Sequence, residues 1–162
     1  MLPLRGNIDT RLRKLRDGQY DAIVLAAAGL NRLQVDTTGL CLTALAPHQC
    51  VPAAGQGALA IELHQTRADL LDLLAPLHHH PTAEAVRVER QLVNALQGNC
   101  HSPIGVHAWW QQQELHMFVY AARPDGSNHT QIQHHIDMRQ PNWANISAEL
   151  RSLSDSIRHQ LA

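Results

Sequence analysis

A partial α/β domain followed by a small α+β domain, the latter a three-stranded antiparallel sheet with helices, is the fold class that the sequence predicts. Three patterns carry this expectation. Residues 7–33 alternate helix, strand and helix, as in part of an open α/β sheet. After Cys100 the pattern changes to hairpins, with apolar runs over 104–110, 114–121 and 128–137 separated by Gln-rich and Pro-Asp-Gly turns. Two helical stretches precede those hairpins and one follows, enough to cover one sheet face. The boundary is placed near His64 to Arg67, giving domains of 1–65 and 66–162.

The elements follow in order. Asn7 is a helix cap ahead of Ile8, Leu12 and Leu15, and Asp17-Gly18 is the stop. Asp21 to Ala26 is a continuous apolar run with β-branched members, which predicts a short buried strand, and Ala27 to Leu33 turns back as a helix. Gly39, Pro47 and Pro52 break the next stretch into short extended pieces. Ala58 to Leu63, after Gly55-Gln56-Gly57, is expected to be another strand. Helices are expected over 67–77 and 82–96, the second capped by Gly98. The last helix, about 143–160, carries Ile146, Leu150, Leu153 and Ile157 along one stripe.

Composition excludes several function classes. The 162 residues carry a formal net charge of -1, so no global basic field recruits nucleic acid or an anionic membrane. No apolar run approaches the roughly 20 residues that span a bilayer, and the first residues lack the pattern of a secretory signal, so the expected location is cytoplasmic. Cys41, Cys50 and Cys100 fit neither a disulfide framework nor a CxxC zinc site. Twelve histidines invite a metal hypothesis. His78, His79 and His80, however, are consecutive and precede Pro81, whereas convergent imidazoles on a helix need spacings of three or four; they read as a polar loop, and the rest as solvated surface.

Chemistry concentrates at three places. Arg5, Arg11 and Arg32 surround a helix N-terminus and a strand-to-helix turn, where backbone N–H groups favour anions, and guanidinium forks suit carboxylates. Solvated surface charge is the alternative reading. Ala53 to Ala58 contains two glycines that permit a close approach or a hinge, or a plain turn; it lacks the full dinucleotide-binding pattern. Cys100 lies just after a helix C-terminus, where the dipole raises a thiol pKa. That suits an attachment point for a strong electrophile better than a cycling nucleophile, with an inert loop cysteine as the alternative.

Four segments together resemble the porphobilinogen deaminase (hydroxymethylbilane synthase) family: Arg5-Gly6-Asn7-Ile8-Asp9-Thr10-Arg11-Leu12, the run from Tyr20 to Leu33, Pro52 to Ala58, and Glu89-Arg90 through Gly98-Asn99-Cys100-His101-Ser102-Pro103-Ile104-Gly105. Their order and spacing match the C-terminal half of that family. The resemblance implies a remnant of a periplasmic-binding-protein-like sheet followed by the cofactor-attachment domain. It implies a dipyrromethane cofactor joined by a thioether to Cys100, with Arg5, Arg11 and Arg32 binding acetate and propionate groups of cofactor and substrate, and Gln56 in the same cleft. The activity implied is stepwise condensation of four porphobilinogen molecules on that primer, releasing hydroxymethylbilane and ammonia in tetrapyrrole (heme) biosynthesis.

The departure from the family is at the beginning, where only Met1 to Leu4 precede the Arg-Gly-Asn motif. The family aspartate that assists deamination belongs to the preceding part, so no catalytic residue and no metal ligand is assigned; Asp9 and Asp21 are more readily explained by the helix start and a turn. The partners expected are porphobilinogen, carboxylated linear pyrroles and a separately encoded N-terminal half, with no nucleic acid and no membrane. Two competing readings are a noncatalytic carboxylated-pyrrole-binding module and one half of a split enzyme. A thiol enzyme unrelated to tetrapyrroles would need an activating base near Cys100, and the sequence supplies none.

Overall fold

A computed structural model describes residues 2–99 and 101–162. By packing, the chain separates into two compact units, Met1–Leu45 and Ala46–Ala162. This partition lies ahead of the division at 65/66 expected from the order of predicted elements. Residues that follow Ala46 are tied into the second unit by backbone hydrogen bonds: the Val106 N–H donates to the Pro52 carbonyl at 2.8 Å, and the Gln131 side-chain amide donates to the His48 carbonyl at 2.7 Å.

The first unit holds helices α1 (Ile8–Arg16) and α2 (Ala27–Leu33). Asn7 caps α1 as expected, its side-chain oxygen accepting from the Thr10 N–H at 2.9 Å, and Asp17-Gly18 ends it with Gly18 at φ +69°. Gly29 of α2 lies close to α1, since a Cβ there would stand 2.9 Å from the end of the Ile8 side chain, which would have to shift. The strand expected over Asp21–Ala26 does not form. The segment has no regular secondary structure, with Val24 73% exposed, and pairs with no neighbour among the described residues. Strand structure requires a partner for its N–H and C=O groups, which an apolar run cannot supply for itself. The same correction applies to Ala58–Leu63, where Leu59 is 93% exposed.

The second unit carries the core. The helix expected over 67–77 is instead a 3₁₀ turn (Ala68–Leu70), the single α-turn α3 (Leu71–Leu74) and a second 3₁₀ turn (Ala75–Leu77), the last with Pro76, which lacks the N–H that a continuing α-helix would use. Helix α4 (His80–Ala95) begins two residues earlier than expected, with His79 as its cap position and Pro81 in its first turn. Its end departs from expectation in detail. The left-handed residue is Gln97 at φ +57°, and the Gly98 N–H reaches back to the Val93 carbonyl at 2.9 Å, a six-to-one closure. Gly98 is needed for space, since a Cβ there would lie 2.6 Å from the Ile104 side chain.

Strands β1 (Ile104–Gln111), β2 (Glu114–Ala122) and β3 (His129–Asp137) form an antiparallel sheet in the order β1-β2-β3, followed by α5 (Trp143–Leu161). Gln111 pairs with Glu114 across a two-residue turn in which Gln112 takes φ +55°, and Ala122 pairs with His129 across the Pro-Asp-Gly turn, with Gly126 at φ +74°. Period-two alternation sends Val106, Ala108, Leu115, Met117, Val119 and Ile136 inward against Val88 and Leu92 of α4 and Ile146, Leu150 and Ile157 of α5. The Arg87 guanidinium stacks 3.6 Å above the Trp143 ring and ties the two helices together.

The other sheet face is not a simple solvated surface. Trp109 lies against His107, His116 and Phe118, with centroid separations of 5.9, 5.6 and 4.7 Å, and His116 stacks on His135 at 5.7 Å. Cross-strand register places these rings together, which residue spacing along one strand cannot reveal.

Two outcomes follow from this packing. Leu150→Ala should lower stability by about 2–5 kcal/mol in denaturant unfolding, whereas Leu59→Ala should change it by no more than about 0.5 kcal/mol. The Arg139 guanidinium beside Asp137 holds that carboxyl down at about 2, from an ordinary 3.8, helped by the Arg139 backbone N–H. Any stability from this pair is therefore present above the ordinary carboxylate range and lost as pH falls toward 2. An NMR titration of Arg139→Ala should find the Asp137 pKa moved upward; an unchanged value would exclude the pair as its cause.

Candidate functional site

The arginine cluster expected from sequence belongs to the first unit. Gly6 sits at φ +121° immediately before the Asn7 cap, and a Cβ there would meet the Thr10 side chain at 2.8 Å, so the Arg-Gly-Asn turn is specific to glycine. Arg11 donates from Nε to the Gly6 carbonyl at 2.7 Å, and Lys14 donates to the Arg5 carbonyl at 3.2 Å. These contacts orient Arg11 while its terminal nitrogens make no hydrogen bond among the described residues. Arg5 and Arg32 are exposed, and neither side chain is paired among the described residues. Arg32 stands in the last turn of α2, whose Gly29 approaches Ile8 of α1. A guanidinium fixed through Nε at a helix start suits a carboxylate.

Gln56 belongs to the second unit. It is exposed in a double turn, with the Gln56 N–H bonded to the Ala53 carbonyl at 3.0 Å and the Ala58 N–H to the Gly55 carbonyl at 3.1 Å. Gly55 and Gly57 take φ +73° and +84° there. An open groove of about 900 Å³ runs beside this turn, lined in part by Gly55, Gly57, Leu59, Leu74, Val86 and Arg90.

Cys100 lies outside the described residues. Its flanks are ordered by side-chain bonds: the Asn99 N–H donates to Ser102 Oγ at 3.0 Å and the His101 N–H to Asn99 Oδ1 at 2.8 Å. Cys41 and Cys50 are exposed free thiols.

Sequence reasoning missed Glu89 as an individual residue. It is 5% exposed, and its carboxylate accepts the Gly55 N–H at 2.6 Å and the Ala108 N–H at 2.7 Å, with His107 Nδ1 at 4.0 Å. The available signal was its place in the stripe Ala85, Val88, Glu89 and Leu92, where helical spacing calls for an apolar side chain.

Two family models match the chain in sequence order: "Porphobilinogen deaminase, dipyromethane cofactor binding domain" over residues 1–72 and "Porphobilinogen deaminase, C-terminal domain" over residues 83–149. The chain belongs to the porphobilinogen deaminase family. The porphobilinogen deaminase of Paraburkholderia phytofirmans is 52% identical over 124 residues, 76% of this chain and 36% of that protein. Those of Burkholderia mallei and Burkholderia thailandensis are 44% identical over 158 residues, 98% of this chain and 47% of each relative. The chain thus spans about half the length, or less, of these curated relatives. Arg5, Arg11, Arg32 and Gln56 all fall in the region matched by the cofactor-binding model, and Cys100 falls in the C-terminal match. No helix among the described residues is long and apolar enough to cross a membrane.

The geometry of Arg11 generates a direct test. In an assembly with the family's N-terminal half, Arg11→Leu should weaken binding of carboxylated pyrroles by about tenfold or more, the loss expected for one charge-assisted contact. Arg11→Lys should fall between Leu and wild type, because an ammonium keeps the charge but not the fork, and added salt should narrow the differences. Equal affinities for all three in isothermal titration would remove Arg11 from the site.

Proposed function

We propose that this chain forms the C-terminal half of a hydroxymethylbilane synthase, a transferase that condenses four porphobilinogen molecules on a cysteine-linked dipyrromethane and releases hydroxymethylbilane and ammonia in tetrapyrrole biosynthesis in the cytoplasm. The observation that carries this reading is the ordered match of both family models, with the arginines of the Arg-Gly-Asn turn inside the region that the cofactor-binding model covers. Dipyrromethane, when bound, supplies the terminal pyrrole carbon to which each new unit is joined. The work left to this chain is binding and orientation. Arg11, fixed through Nε, presents its terminal nitrogens to a carboxylate, and Arg5 and Arg32 add charge for the further acetate and propionate groups. Cys100 is the proposed thioether position, and Gln56 a contact in the same cleft. The acid that assists deamination is assigned to the rest of the family protein, because Asp9 lies in the first turn of α1 and Asp21 at the head of an exposed segment.

A second reading, one half of a split enzyme, is favoured by the extended segments. Val24, Leu59 and Ile61 are 73%, 93% and 58% exposed on backbone that pairs with nothing among the described residues. Such edges invite pairing. In this reading Asp21–Ala26 and Ala58–Leu63 become strands of a periplasmic-binding-protein-like sheet when an N-terminal half supplies their neighbours, and the chain alone is a carboxylated-pyrrole-binding module without turnover. The division into an α/β part over 1–65 and an α+β part over 66–162 belongs to that assembled state.

Intact-protein mass spectrometry with peptide mapping separates these readings. The chain alone should be unmodified; with an N-terminal half and porphobilinogen it should gain the mass of one dipyrromethane at Cys100. Cys100→Ser should abolish that gain while Cys41→Ser and Cys50→Ser retain it. Attachment at Cys41 or Cys50 would defeat the site assignment, and modification without the N-terminal half would defeat the split requirement.

A further inference from the structure

We propose that Glu89 is a positioning residue that sets where the Ala53–Gly57 turn, and with it Gln56, stands against α4 and β1. The proposal rests on the pyrrole-binding reading only for what that turn contacts in function; the positioning itself follows from geometry. A carboxylate at 5% exposure requires compensation, and Glu89 has it in two short bonds from backbone N–H groups, Gly55 at 2.6 Å and Ala108 at 2.7 Å. One side chain on α4 therefore joins a turn to a sheet edge. Neither donor is satisfied by its own element: Gly55 sits in a turn at φ +73°, and Ala108 is at a non-hydrogen-bonded position of the β1–β2 register, its N–H facing the outer edge of the sheet.

The neighbouring contacts continue the same seam. The Val106 N–H donates to the Pro52 carbonyl at 2.8 Å, a Cβ at Gly105 would lie 2.4 Å from the Val51 carbonyl oxygen, and Ala54 packs on the core. Segment 51–55 thus lies along the free edge of β1, with Glu89 as its last clamp before the exposed Gln56. Helix α4 runs on from Glu89 to Ala95 and the left-handed turn at Gln97, three positions before Cys100 in the sequence. A shift of Glu89 would move Gln56 relative to the helix that leads to the proposed attachment loop.

The test reads amide exchange by NMR in the 162-residue chain. A glutamine has one carbonyl acceptor for the two donors, so Glu89→Gln should speed exchange at Gly55, Ala108 or both by about tenfold or more, while Val119 of β2 keeps its wild-type rate. Wild-type rates at both amides would overturn the proposal. Gly55→Ala, which strains the turn but leaves the carboxylate in place, supplies an independent arm: exchange at Ala108 should rise together with that at Gly55, and an unchanged Ala108 would overturn the coupling even if the Glu89 variant did not fold. The functional arm supplies an N-terminal half and porphobilinogen. Glu89→Gln should slow pyrrole attachment by about tenfold with the same final mass, the pattern of a misplaced and not a missing group. Attachment at the wild-type rate would reduce Glu89 to a structural role and overturn the positioning claim. Failure of wild type to acquire pyrrole at all would defeat the proposed function, and the exchange data would still decide Glu89.

Discussion

The buried carboxylate of Glu89 joins helix α4 to the turn at Gly55 and to the outer edge of β1. A charge removed from water is tolerated only where donors replace its hydration, and here the donors are backbone groups that would otherwise be unsatisfied themselves. Each side of the contact thus answers a need of the other. The turn at Gly55 gains an anchor, the edge of β1 gains a cap, and α4 is tied to both by a side chain in its core-facing stripe.

That arrangement explains why the second unit extends back to Ala46. The order of predicted elements places a domain boundary near His64 to Arg67. Backbone hydrogen bonding also ties earlier residues into the second unit, with the Val106 N–H donating to the Pro52 carbonyl at the β1 edge. An open edge is a hazard for any small sheet, and covering it with a loop is one of the ways in which proteins manage it. The price is that a segment matched by the cofactor-binding model is built into the domain beyond it.

The first unit is organised differently. Leu12 is its buried hydrophobic side chain among the described residues, and its order comes from local devices: the Asn7 cap, the glycine turn before it and the Arg11 contact with Gly6. Such devices orient donors well without building a core. Arg5 and Arg11 lie at that helix start, and any anion that bound the folded form there would stabilise it. The contrast with the α4–α5–sheet core, filled by Leu92, Leu115, Met117, Leu150 and Ile157, is one of burial.

Local pattern determined much of this protein. The Asn7 cap, α2, the two hairpin turns, the inward stripe of α5 and the Arg-Gly-Asn turn all depend on residues within a few positions of one another, and the ordered motifs were enough to name the family. What pattern could not determine was anything that needs a distant partner. Asp21–Ala26 and Ala58–Leu63 have the composition of strands, but a strand is defined by its neighbours, and these have none among the described residues. Gly98 was legible as a helix end, yet its reason is Ile104, and the left-handed residue is Gln97. Glu89 read as one letter of a motif because its partners, Gly55 and Ala108, lie 34 and 19 residues away. Helical periodicity could place it in the buried stripe; only the tertiary structure decided which donors would neutralise it there, because a buried charge takes its meaning from the groups brought around it and not from its own position in the chain.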